Sequence, residues 1–133
     1  MSLDNAIEEA VKNVPEAVAA GFVDINSGML LSVKTVDSHP NEIMDILAAA
    51  TGDLFQGPSV TTIENMFKKM RGVKDDKHYF QEVIVNSDNL VHVFVRSQVN
   101  QDYVLCIVCR KSVNLGMALT KTRQSIAACD AAM

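Results

Sequence analysis

The sequence predicts an α/β domain of the α+β kind. About five antiparallel strands form one sheet, with a long helix on one face and the N- and C-terminal helices on the other. Three observations predict it. Residues 79–116 hold three β-rich runs, Phe80–Val85, Leu90–Arg96 and Tyr103–Arg110, separated by polar turns at 86–89 and 97–102. Connections this short make an antiparallel meander, because parallel pairing needs a far longer crossover. Residues 21–33 add a hairpin, and the remaining segments carry helical periodicity. A sheet covered on both faces by helices is a stable layered solution.

The elements follow in order. From Ser2 to Val14, Leu3, Ile7, Ala10, Val11 and Val14 recur at helical spacing, with Asp4, Glu8, Glu9 and Lys12 elsewhere. Ser2 can cap the start, and Pro15 stops the helix by pushing the preceding residue out of the helical region. Phe22, Val23 and Ile25 form a strand, and Asn-Ser-Gly at 26–28 supplies turn chemistry. Met29–Val33 returns.

The loop Lys34–Pro40 leads into a helical region over 42–71. Asp37 or Ser38 can cap it, with Pro40 in its first turn. Ile43, Ile46, Leu47, Ala50 and Leu54 trace one face. Gly57-Pro58 interrupts, and Ser59 or Thr61 can restart the helix, so the region is either one kinked helix or two. Ile63, Met66, Phe67 and Met70 continue the apolar stripe.

In the meander, Tyr103–Arg110 is apolar on both faces, which places it centrally in the sheet. Phe80–Val85 alternates less cleanly and carries Gln81 and Glu82, which suits a sheet edge. A last helix starts near Asn114 and buries Leu115, Ala118, Leu119, Thr122, Ile126 and Cys129. No linker or repeat divides residues 1–133, which make one domain with one core.

Composition excludes several functions. Hydrophobic residues at 48% mark a globular chain. A net charge of −4 argues against a general nucleic-acid or anionic-membrane binder. No apolar run spans a bilayer, and the acidic amphipathic N-terminus lacks the pattern of a secretory signal. The expected compartment is the cytoplasm. Cys106, Cys109 and Cys129 then remain reduced thiols.

Candidate chemistry is thin. Cys106 and Cys109 have CxxC spacing, but on a strand residues three apart point to opposite faces, so they read as core thiols. His39, His78 and His92 are scattered and do not converge on a metal. Asp24 and Asp88 sit at turns, where bonding to nearby backbone N–H groups accounts for them. No Gly-rich phosphate cradle or nucleophile elbow is present. The expectation is no catalytic residue, no cofactor and no metal. Lys68, Lys69, Arg71, Lys74 and Lys77 form one basic cluster, diluted by Asp75 and Asp76, that could meet an acidic partner or an anionic lipid.

Three stretches in this order resemble the roadblock/dynein light-chain family: Gly21 to Leu31 with its Asp24 and Gly28, the apolar strand Tyr103 to Val108, and Ser112-Val113-Asn114-Leu115-Gly116 with Arg123 beyond. The match runs from about Val14 to Cys129. It departs at Gly57-Pro58, where the family's middle helix is continuous. The resemblance implies a profilin-like fold. It also implies a homodimer in which the meander's first strand pairs with its twin and the middle helices pack together.

Family members are non-enzymatic platforms that bind small Ras-like GTPases or attach to motors and scaffold proteins. The implied function is an interaction module that binds and regulates a partner protein, foremost a small GTPase. The alternative is a small-molecule sensory domain built on a profilin-like sheet. The exposed edge supports the dimer independently, because an unpaired apolar strand invites another chain and two-fold closure removes that hazard. The expected dimer and partner interface is Phe80, Gln81, Glu82, Val83, Ile84 and Val85 on the edge, with Ile63, Met66, Phe67 and Met70 on the helix. Nucleic acid and membrane insertion are not expected.

Overall fold

A computed structural model describes residues 1–36 and 41–133. The expected caps Asp37 and Ser38, together with His39 and Pro40, lie outside the described residues.

The N-terminal helix α1 spans Leu3–Asn13. The Ser2 hydroxyl accepts from the Asn5 N–H at 3.1 Å, and the Val14 N–H closes the last turn on Ala10 O. Strand β1, Ala17–Asp24, begins four residues before the expected Gly21. The extension is the alanine-rich run 17–20, whose small side chains suit a strand buried throughout. Asp24 shapes the turn: its Oδ1 accepts from the Asn26 N–H at 3.0 Å, and Gly28 adopts φ 75°. Strand β2 then runs Met29–Thr35, taking in Lys34 and Thr35 from the expected loop.

The helical region divides in two. Helix α2 is Asn41–Gln56 and helix α3 is Pro58–Arg71. Gly57 sits between them with an extended backbone, and α3 restarts at Pro58 itself, one residue before Ser59. A proline at the first helical position gives up no intrahelical donor. Of the expected apolar face of α2, Leu47 and Leu54 pack partly buried against the core, but the buried line is shifted by about one residue. Met44, Ala48, Thr51 and Phe55 are buried, whereas Ile46 is 72% exposed, and Ile43 and Ala50 also face outward. The helix carries two apolar stripes, and periodicity alone cannot choose between them. Thr51 fits the buried one because its hydroxyl donates to Leu47 O at 2.7 Å.

The meander is β3 (Glu82–Asn86), β4 (Leu90–Arg96) and β5 (Tyr103–Arg110), and the final helix α4 is Leu115–Ala131. Phe80 and Gln81 precede the first of these strands instead of belonging to it, although Gln81 O still accepts from the Arg96 N–H. The sheet order is β2-β1-β5-β4-β3 with every pair antiparallel. β5 is central and β3 is an edge, as expected. Asn114 caps α4 by accepting from the Met117 N–H. The buried stripe is Ala118, Thr122, Ile126 and Cys129, but Leu115, expected in it, is exposed in the first turn, ahead of the covered face.

Two apolar layers result. Ile7, Ala10, Phe22, Val93, Leu105, Ile107 and Ile126 join the sheet to α1 and α4. Val23, Met44, Ala48, Phe55, Phe94 and Val104 join the other face to α2. Cys106 belongs to the second layer and Cys109 to the first, so the CxxC pair is split across the sheet.

Candidate functional site

Residues of β3 alternate across the edge. Val83 packs toward α2, and its neighbour Glu82 reaches Arg123 on α4. Ile84 follows on the α4 side, opposite Val93, and Val85 returns to the α2 side. Ile84, Val85 and Phe80 are all more than a third exposed. β3 pairs with β4 on one side, and among the described residues no strand pairs with its other side. The edge is therefore a row of free backbone donors and acceptors lined with apolar side chains.

The segment leading into this edge is fastened to α3, a helix whose buried residue is Glu64. The Glu64 carboxylate accepts from the Tyr79 N–H at 2.5 Å and meets His78 Nδ1 at 3.0 Å, fastening α3 to the segment that leads into β3. Phe67 stacks on the Tyr79 ring, with centroids 6.0 Å apart. The rest of the stripe is open: Met66 is 61% exposed and Met70 80%, with Ile63 also exposed. The structure thus places Ile63, Met66, Phe67 and Met70 on one outward face. The outward Ile43 and Ile46 of α2 are a further apolar surface, at positions where the periodicity predicts core.

A polar cluster that the sequence does not reveal lies behind α3. Arg96 is fully buried at the end of β4. Its guanidinium donates to Gln101 O at 3.0 Å and Phe55 O at 3.3 Å, and it lies 5.1 Å from the Phe55 ring centroid. Burial pulls its pKa down, while the charges of Glu64 and Asp102 push it back up. These partners come from elements and loops far apart in sequence, so no local motif announces them.

The histidines do not converge. His78 is engaged by Glu64, His92 lies against Phe94 on β4, and His39 lies outside the described residues. Among the described residues no group of three His, Cys, Asp or Glu could hold a metal ion. Burial pushes the thiols up, Cys109 to about 11, Cys129 to about 12 and Cys106 further, so none is a ready nucleophile at neutral pH. Beneath α2, where a small ligand would sit, Met44, Ala48, Phe55 and Phe94 close an apolar interior. Among the described residues, no helix is long and apolar enough to cross a membrane.

The fold has solved counterparts. The gliding protein mglB of Thermus thermophilus is similar with a TM-score of 0.71 at 17% identity, over 98% of this chain and 87% of that one. A roadblock/LC7 domain from Streptomyces avermitilis gives 0.67 at 14% identity, over 98% and 97%. The chain has the roadblock fold. It is also profilin-like: profilin II of Acanthamoeba castellanii gives 0.61 at 10% identity, over 99% and 100%. No family model matches the sequence, and no curated protein matches it. At these identities the roadblock fold is carried by the sheet order and the helices on its two faces. Gly57-Pro58 breaks the middle helix without disturbing the sheet.

Proposed function

We propose that this roadblock-fold chain is a non-enzymatic homodimeric module that binds and regulates a partner protein, foremost a small Ras-like GTPase. One observation carries the reading: the open, apolar β3 edge follows on a segment fastened to α3, a helix whose Met and Phe residues face outward. Two copies related by a two-fold axis join their β3 strands into one continuous sheet. Phe80, Gln81, Glu82, Val83, Ile84 and Val85 lie along that seam, and the outward Ile43 and Ile46 of α2 pack toward the twin. The stripe of Ile63, Met66, Phe67 and Met70 on α3 is left for the partner. The closed apolar interior under α2 weighs against a small-molecule sensor.

The test has two arms. Light scattering reads the mass of the purified protein, and a monomer at high micromolar concentration sinks the dimer. GTP hydrolysis and exchange are then measured for Ras-like GTPases of the same organism with and without the protein. No binding and no rate change across the set sinks the GTPase assignment while leaving the dimer standing.

A further inference from the structure

We infer that the exposed stripe of α3, with the cations beside it, docks an acidic amphipathic helix of the partner. This rests on the platform reading and names the chemistry of its partner.

The face is defined by what anchors α3. Successive residues rotate by about 100° around a helix. Glu64, buried, and Lys68, whose side chain is 12% exposed, mark the inward direction. Ile63, Met66, Phe67 and Met70 are spaced by three, four and seven, and their common direction lies about a third of a turn away. They therefore form an apolar ridge that the body of the protein leaves open except where Phe67 leans on Tyr79. Methionine adapts to a partner's shape, and a ridge at this spacing matches the apolar face of another helix.

Charge selects among occupants. Lys69 lies on one flank of the ridge and Arg71 on the other, with Lys74 just beyond the C-terminus of α3. Two of the cluster's cations are already engaged: Lys68 pairs with Asp75 at 3.4 Å, and Arg71 donates to the Tyr79 hydroxyl at 3.1 Å. Lys69 and Lys74 have no ion pair among the described residues. They line a groove of about 380 Å³ with Asn65, Gly72, Val73 and the paired Lys68 and Asp75.

Residues 68–77 hold five of the chain's 12 Lys and Arg and two of its 16 Asp and Glu, so this segment is +3 and the remainder −7. An extended anionic membrane would reach past this segment toward that acidic remainder. A single helix confined to the patch would not, because screening limits the reach of charge to about 8 Å at physiological salt. A partner helix with apolar residues against the ridge and carboxylates toward Lys69, Arg71 and Lys74 satisfies both properties of the surface.

The experiment uses the full chain and two labelled synthetic helices of identical leucine pattern, one with glutamate and one with lysine at the polar positions. Fluorescence anisotropy reads binding, and light scattering reads the mass of the protein in parallel. The expected result is binding of the Glu/Leu helix about tenfold or more tighter than the Lys/Leu helix, weakening as salt rises. Lys69→Glu with Lys74→Glu removes the preference. Met66→Ser with Met70→Ser weakens binding of the Glu/Leu helix, with circular dichroism and mass unchanged in both variants.

Equal binding of the two helices, or none, overturns the inference. So does binding to phosphatidylserine vesicles without preference for the Glu/Leu helix, which would make the patch a membrane surface. Growth of the protein's mass in the absence of peptide, blocked by Met70→Ser, would make it a contact between copies and also overturns it. A monomeric wild-type chain that still selects the Glu/Leu helix would sink the dimer and leave this inference intact.

Discussion

Arg123 grips Glu82 with two parallel bonds, Nε to Oε2 at 2.5 Å and Nη2 to Oε1 at 2.6 Å. The pair ties α4 to the first residue of the edge strand, so the helix over one face of the sheet sets the position of the open edge. Such a fork is directional and fixes geometry as well as charge. The hydrogen bond to Arg123 holds the Glu82 carboxyl below its ordinary value of 4.5. A depressed carboxylate stabilises the folded state above the unfolded pKa, and that contribution is lost as pH falls through the folded value.

It follows that stability declines as pH drops below about 4.5, and that Glu82→Gln removes part of this decline. Urea midpoints measured from neutral to acid pH check it. Because the pair is partly exposed, the effect at neutral pH is small, and high salt reduces it further. Identical pH profiles for the variant and the wild type would show that the pair contributes nothing to the acid dependence of stability.

Glu64→Ala is expected to cost more. It leaves the Tyr79 N–H without its acceptor and His78 without its partner, and it removes a negative charge near the buried Arg96. Unsatisfied buried donors cost roughly 1–3 kcal/mol. Urea denaturation gives the global loss. Hydrogen exchange should show α3 and residues 72–81 losing protection ahead of the sheet, since Glu64 is the buried one of the contacts that fasten them together. Uniform loss across the molecule would mean that α3 is held by other contacts.

Gly57→Ala tests the break between α2 and α3. A Cβ at Gly57 would lie 2.7 Å from Asp53 O, a backbone atom that cannot swing away. The two helices must then shift, and a loss of about 1–3 kcal/mol is expected from the overpacking. Gly21→Ala is the control: its Cβ would meet Leu30 Cδ1 at 2.9 Å and Met44 Cε at 3.0 Å, both ends of flexible side chains. A smaller loss at Gly21 than at Gly57 in thermal melts supports a backbone constraint at the break.

The residues that are legible and those that are not differ in kind. Ser2, Asp24, Gly28, Asn114 and the doubly apolar β5 act through their neighbours in sequence, so capping and turn rules find them. The edge position of β3 is legible from the polar residues at its start. The buried face of α2 is not, because Ile43 and Ile46 are as apolar as Met44 and Phe55, and only the sheet decides which side turns inward. Glu64 and Arg96 are not legible either. Each looks like an ordinary surface charge until the chain brings Phe55, His78, Tyr79 and Gln101 to it.

The thiols predict behaviour at the alkaline end. Burial holds Cys109 at about 11 and Cys129 at about 12, against 9.0 for an exposed thiol. With folded values raised, the folded state binds more protons than the unfolded one between those limits. Stability is therefore fully present below about 9 and falls as pH rises toward 11 to 12. Cys109→Ala with Cys129→Ala should shallow that fall, although the smaller side chains lower stability at neutral pH. A thiol reagent should label the native wild type slowly and the urea-unfolded chain at once. Rapid native labelling would contradict the burial of all three cysteines.

Ile84→Arg is the sharpest test of the proposed seam. Ile84 lies mid-strand on β3, opposite Val93 of β4, with its side chain more than a third exposed. In the monomer an arginine there can extend into solvent, so the fold should survive. Across a two-fold seam two new guanidinium groups enter one short strand pairing, and like charges on paired edge strands destabilise the contact. Dimer affinity should fall at least about tenfold, equivalent to about 1.4 kcal/mol. Light scattering over a dilution series reads the affinity, and circular dichroism reports whether the monomer is folded. Phe67→Asp, on α3, should leave the dimer intact and weaken partner binding instead. If Ile84→Arg keeps its wild-type mass at every concentration, the β3 edge is not the seam. If Phe67→Asp dissociates the dimer, the division of labour between edge strand and helix is the wrong way round.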